Sequence, residues 1–141
     1  VGIHPEVNPH PAYTIEVTMA PLFRVIAFPI TTAADGTATV NQAENHVNGI
    51  IWEVMYVPGT IATGATVTLS VQNSAVTKTI LTQANAGTAT LLLYPRGNAC
   101  GSTGTVGTDG MQFIPAVGNL RVAVASGGAG GVGNLYVTVA E

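Results

Sequence analysis

The sequence predicts an all-β fold, an antiparallel β-sandwich of jelly-roll or Greek-key type carrying an extended N-terminal arm. Three observations lead there. Thr, Val, Ala and Gly dominate the chain, a palette that suits pleated strands and turns better than helices. Many short stretches alternate apolar and polar residues with period two. Turn-forming pairs separate these stretches, and no segment carries the apolar stripe of an amphipathic helix.

Taken in order, residues 1–12 form the arm. Pro5, Pro9 and Pro11 remove backbone donors and favour an extended course. Residues 13–141 form a single β-sandwich domain. Strands are expected at Tyr13–Met19, Phe23–Phe28 and Thr37–Asn41. In Ile50–Val57, Ile50, Trp52, Val54 and Tyr56 share the inward face, with Glu53 outward. Val67–Val71, Thr77–Thr82, Thr88–Tyr94, Leu120–Val124 and Leu135–Val139 complete the set. Turns are expected at Asp35-Gly36, Asn48-Gly49, Pro58-Gly59, Ala86-Gly87, Pro95-Arg96-Gly97 and Gly118-Asn119. Asn41–Val47 has room for two helical turns at most. Gly97–Gly110 reads as a long loop, and Ser126–Gly133 as a flexible hairpin tip.

Composition excludes several classes of function. Four Lys and Arg in 141 residues, with a net charge of −3, cannot line the phosphates of a nucleic acid. An apolar fraction of 47% rules out a disordered chain. The apolar run Met19–Ile30 is broken by Pro21, Arg24 and Pro29 and is too short for a membrane helix. No secretory signal pattern opens the chain. One cysteine, Cys100, allows neither an internal disulfide nor a cysteine-based zinc site. Charged residues make up 8% of the chain against roughly a quarter in ordinary soluble domains, which points to a surface covered by an assembly.

No catalytic set emerges. Gly128-Ala129-Gly130-Gly131-Val132-Gly133 fits the dinucleotide string G-x-G-x-x-G, but the residues after it alternate as a strand where a phosphate-binding helix is required. Ser102 and Cys100 lack a nucleophile elbow, and His46 is the only histidine outside the arm. Spacing singles out no carboxylate pair among Glu16, Asp35, Glu44, Glu53 and Asp109. No enzyme activity, cofactor or metal is expected. Tyr136, facing outward beside Arg121 on a neighbouring strand, is the better aromatic anchor, since Tyr and Arg concentrate binding energy at interfaces.

Residues 50–141 resemble a group of small tailed-bacteriophage virion proteins, the head decoration or cement proteins. The resemblance rests on Tyr56-Val57-Pro58, Thr63-Gly64-Ala65, Tyr94-Pro95-Arg96, the Gly-rich tract 97–110 and the late Leu120–Gly128 segment. Val1–Pro11 has no counterpart in that group. The resemblance implies a β-sandwich that forms a homotrimer on the outer surface of the virion head and clamps adjacent major capsid protein subunits. On that reading Ile3, His4, Pro5, Val7 and Pro9 of the arm dock between capsid subunits, with Arg96, Arg121 and Tyr136 as further anchors. Two alternatives remain: a tail or fibre module that binds a host-surface glycan through the two Gly-rich loops, and a cellular adhesion or enzyme-accessory domain.

Overall fold

The computed structural model describes residues 2, 22–74, 76–100 and 106–141, with only the backbone course for 42–45, 98–100 and 106–111. The arm beyond Gly2 and the strand expected at Tyr13–Met19 therefore lie outside the described residues. The rest is all-β, and no helix occurs among the described residues.

Eight strands follow in order: β1 (Phe23–Thr31), β2 (Ala38–Val57), β3 (Thr66–Asn73), β4 (Val76–Gln83), β5 (Leu91–Leu93), β6 (Arg96–Cys100), β7 (Val106–Ala125) and β8 (Val132–Ala140). All pairings are antiparallel, in the order β1-β8-β2-β7-β3-β4, with β5 beside β2 and β6 beside β7. β2 changes partners along its length. Its first part pairs with β7, while Val54–Tyr56 lies between β8 and β5. The sheet thus has two four-stranded parts, β1-β8-β2-β5 and β2-β7-β3-β4, sharing one strand.

Alternation decides what is buried. Phe28 and Ile30 of β1, Val122 of β7, and Leu135, Val137 and Val139 of β8 are fully or almost fully buried, and they join Leu69 of β3 and Ile80 of β4 in a single core cluster. Each large aliphatic or aromatic side chain removed from water in this way contributes about 1.5–3 kcal/mol. The same parity leaves Val25 and Val117 facing outward.

Several boundaries differ from those expected. Asn48-Gly49 and Gly118-Asn119 are not turns but lie inside β2 and β7, where Asn48-Gly49 faces Val117-Ala116 and Gly118-Asn119 faces Val47-His46. Asn41–Val47 is strand rather than helix, interrupted by a register shift between Asn41 and His46. Gly118 in β7 has φ +134°. A Cβ there would stand 2.4 Å from the Gln72 carbonyl oxygen, so only glycine admits this close backbone approach. Part of the tract read as a loop, 97–100 and 106–110, is strand, paired as β6 with β7. Arg96 opens β6 and is not a turn residue.

Ser126–Gly133 is not a hairpin tip, because β7 and β8 each pair with β2 and not with one another. The segment is pinned. The Thr32 hydroxyl accepts from the Gly131 N–H at 2.7 Å and donates to the Gly128 carbonyl at 2.5 Å. The Gly127 N–H donates to the Gly36 carbonyl, and the Gly127 carbonyl accepts from Ala62.

Candidate binding surface

Four strands bring aromatic side chains and one guanidinium together on the outer face. The key local event is a β-bulge in β2. Ile50 stands opposite Ala140, Ile51 opposite Val139, and Glu53 opposite Thr138, so Trp52 is the extra residue. The bulge resets the alternation. Ile51, Val54 and Tyr56 point inward and are essentially inaccessible, whereas Trp52 is 41% exposed. This corrects the inward face expected for Ile50 and Trp52.

The exposed indole finds partners on both sides. It stacks on Phe113 of β7 with ring centroids 4.6 Å apart and planes 13° from parallel. Phe23 of β1 meets it in an edge arrangement at 5.5 Å and 76°. Arg96 stands directly opposite Phe113 in the β6–β7 ladder, and its guanidinium carbon lies 3.9 Å from the Phe113 centroid. At that distance the cation sits over the ring, so Phe113 meets both the indole and the guanidinium. Arg96 Nη1 also donates to the Pro95 carbonyl at 2.8 Å and to the Trp52 carbonyl at 3.5 Å.

Tyr94, half-exposed, lies two residues before Arg96 with its ring 5.9 Å from the guanidinium. Partial desolvation holds its phenol above the ordinary value. The adjacent Glu53 carboxylate, to which the hydroxyl is hydrogen-bonded, adds to this, and Arg96 opposes it. The assembly Phe23–Trp52–Phe113–Arg96, with Tyr94 and Glu53 at its side, is a continuous strip of the residue types that concentrate energy at interfaces. Such a strip can anchor a partner.

Of the residues expected to act, Arg96 alone belongs to this strip. Arg121 lies on β7 between Asn41 of β2 and Ser70 of β3. Tyr136 lies on β8 between Ala27 of β1 and Met55 of β2, and is only partly exposed. They are not neighbours as expected: β2 separates their strands, and they meet it near its opposite ends. Ile3, His4, Pro5, Val7 and Pro9 lie outside the described residues. Trp52, Phe113 and Phe23 were missed by sequence reasoning. No local signal marks Trp52: Ile50 and Ile51 alternate outward and inward in the ordinary way, and the extra residue follows them.

Among the described residues, no group of three or more His, Cys, Asp or Glu side chains is placed to hold a metal ion. No helix there is long and apolar enough to cross a membrane. Compared with known proteins, the chain matches no family model, no curated protein and no solved structure.

Proposed function

We propose that this chain is a bacteriophage capsid decoration protein, a non-enzymatic binding module that attaches to the outer surface of the assembled head and stabilises contacts between major capsid protein subunits. The observation that carries this reading is the Trp52–Phe113–Arg96 cluster, held by ladder pairing with the Trp52 indole exposed, an arrangement suited to anchoring a protein partner. Two further features support it. The chain is poor in charge. Counting the halves of β2 as separate strands also turns the two sheet parts into orders 1-8-3-6 and 2-7-4-5, the nested arrangement of a jelly roll, with β6 as an addition.

The mechanism is linkage. A protein that binds only the assembled shell adds its binding free energy to that state, and self-association as a homotrimer multiplies the contacts through avidity.

The test adds the full chain to expanded phage heads stripped of decoration and measures occupancy by co-sedimentation together with the shell's melting temperature. The wild-type chain binds and raises that temperature, and Trp52→Ala reduces occupancy at least tenfold. Equal occupancy by the wild-type and Trp52→Ala chains, or binding to a glycan array in place of shells, overturns the reading.

A further inference from the structure

A second feature, beside the aromatic strip, is an apolar row across the outer face. Phe23 of β1, Ala140 of β8, Ile50 of β2 and Pro115 of β7 stand in one register over four strands, and each is exposed or partly exposed. Val117, two residues further along β7, is half-exposed as well. The row runs to a groove of about 560 Å³ on the far side of β7, whose apolar walls are Val71, Val76, Pro115 and Val117. Lys78 is the only charged side chain lining that groove. A continuous apolar surface of this kind marks a place that something covers.

The groove is closed to a further strand. Pro115 has no N–H and Lys78 Nζ donates to its carbonyl at 3.4 Å, and proline and lysine guard a sheet edge against pairing. What it can take is apolar side chains. One segment of this chain outside the described residues, Tyr13–Met19, carries them in a suitable pattern: Tyr13, Ile15, Val17 and Met19 alternate with Thr14, Glu16 and Thr18, so the four apolar residues share one face of an extended chain. That segment also joins the fold beside the row. Leu22 exchanges both backbone hydrogen bonds with Glu141, at 3.1 and 3.0 Å, next to the Phe23–Ala140 pair. Pro21 has no N–H with which to prolong that ladder.

We infer that the occupant is this chain's own segment 13–19, which crosses the outer face from β1 and seats its side chains in the groove. Reach sets the register. Neighbouring strands lie about 4.8 Å apart, which puts Ile50 roughly 10 Å, Pro115 roughly 14 Å and the groove roughly 19 Å or more from β1. An extended chain covers about 3.3 Å per residue. Counted back from Leu22, Met19 arrives at Ile50, Val17 at Pro115 and Val117, and Ile15 between Val71 and Val76. Tethering sets the identity of the occupant. A segment joined to the fold through Ala20 and Pro21 alone competes at an effective concentration in the millimolar range, which a second copy or another protein at ordinary concentrations does not reach. Thr14, Glu16 and Thr18 then replace the apolar row with a polar surface. This inference stands apart from the capsid reading, and its consequence there is that residues 1–12 leave the fold beside the β3–β4 turn and not beside β1.

The test is methyl NOE spectroscopy on the full chain with its Ile, Val and Met methyl groups labelled. Cross-peaks are expected from Met19 to Ile50, from Val17 to Val117 and from Ile15 to Val76, unchanged in intensity relative to the diagonal over a tenfold range of concentration. A chain carrying both Ile15→Ser and Val17→Ser should lose them, shift the Val71, Val76 and Val117 methyl signals, and bind the apolar dye bis-ANS with at least threefold higher fluorescence, while the methyl signals of buried Val122 and Val137 stay in place. Three results overturn the inference. One is the absence of any cross-peak from Ile15 or Val17 to the groove. Another is Val71, Val76 and Val117 signals that do not move in the double variant. The third is cross-peaks that connect differently labelled copies in a mixed sample, which assign the groove to a second copy.

Discussion

Trp52 and Phe113 lie with their rings nearly parallel, 4.6 Å apart, just past the point where their strands stop pairing. β2 and β7 are in register only as far as Ile51 and Ile114. Beyond that pair β7 takes β6 as its partner, β2 bulges, and the two rings bridge the opening. Arg96 also lies over Phe113, so a point where the sheet divides becomes a stacked column.

Removing the indole should loosen this point. Aromatic pairs contribute about 0.5–1.5 kcal/mol beyond area burial, and Trp52 makes two of them. Trp52→Ala is expected to lower unfolding stability by about 2 kcal/mol, read from the urea midpoint. A loss smaller than the error of the measurement would mean that the column contributes nothing to the fold.

Arg96 acts on the same column by charge and shape. Arg96→Lys keeps the charge but loses the planar group lying over Phe113 and the paired donors to Pro95 and Trp52. A double-mutant cycle between Arg96→Ala and Phe113→Leu should give a coupling of about 0.5–2 kcal/mol. Since the chain has a single tryptophan, its fluorescence reports the column directly, and Arg96→Lys should shift that emission. Additive losses with unchanged emission would refute the coupling.

At Gly118 the expectation is severe. Both φ +134° and the 2.4 Å approach of the Gln72 carbonyl forbid a side chain. Gly118→Ala should cost roughly 2–4 kcal/mol, whereas Gly64→Ala, with open space around it, should fall within roughly 0.5 kcal/mol of wild type. Equal effects of the two substitutions in thermal unfolding would contradict the geometry.

How far the fold was legible depended on local rules. Strand periodicity located Phe28, Leu69, Val122 and Val137 on the inner face, because each lies in an uninterrupted stretch. It failed at Trp52, where one inserted residue reverses the parity. It failed again at Asn48-Gly49 and Gly118-Asn119, whose glycines serve close backbone approaches, Gly49 to Ala140 of β8 and Gly118 to Gln72 of β3. Nothing local announces that Phe113 will meet Trp52 or that Arg96 will stand opposite Phe113. Those meetings follow from strand order, which pairing over long separations determines. The side-by-side placement expected of Arg121 and Tyr136 fails for the same reason, because β2 runs between their strands.

Thr32 joins segments far apart in sequence, and Thr32→Val tests that junction with little change of shape. The substitution leaves the buried Gly131 N–H without its acceptor at 2.7 Å, a loss of about 1–3 kcal/mol. Amide exchange at Gly131 should accelerate well before global unfolding. Exchange unchanged from wild type would show that another group holds the turn.

Alkaline pH should weaken the fold. Burial raises the phenol of Tyr56 above 10.0. Desolvation together with Glu53 raises that of Tyr94. Both groups hold their proton more tightly when folded, so stability is complete below about pH 10 and is lost as pH rises through the folded values. The Tyr56 hydroxyl is buried with no hydrogen-bond partner among the described residues. Tyr56→Phe should therefore be about 1 kcal/mol more stable at neutral pH and flatter in its alkaline decline. Urea midpoints at pH 8 and pH 11 decide this, and a less stable Tyr56→Phe would count against an unpartnered hydroxyl.

The sharing of β2 between the two parts of the sheet has a mechanical consequence. A tug on the Trp52 column enters a strand whose other end is embedded beside β7. The load therefore runs along covalent backbone into both parts before any ladder is tested. Separating them requires many hydrogen bonds to shear at once, because no single row can be unzipped one bond at a time. A molecule that anchors through this column would resist pulling in the direction of β2 more strongly than its modest size suggests.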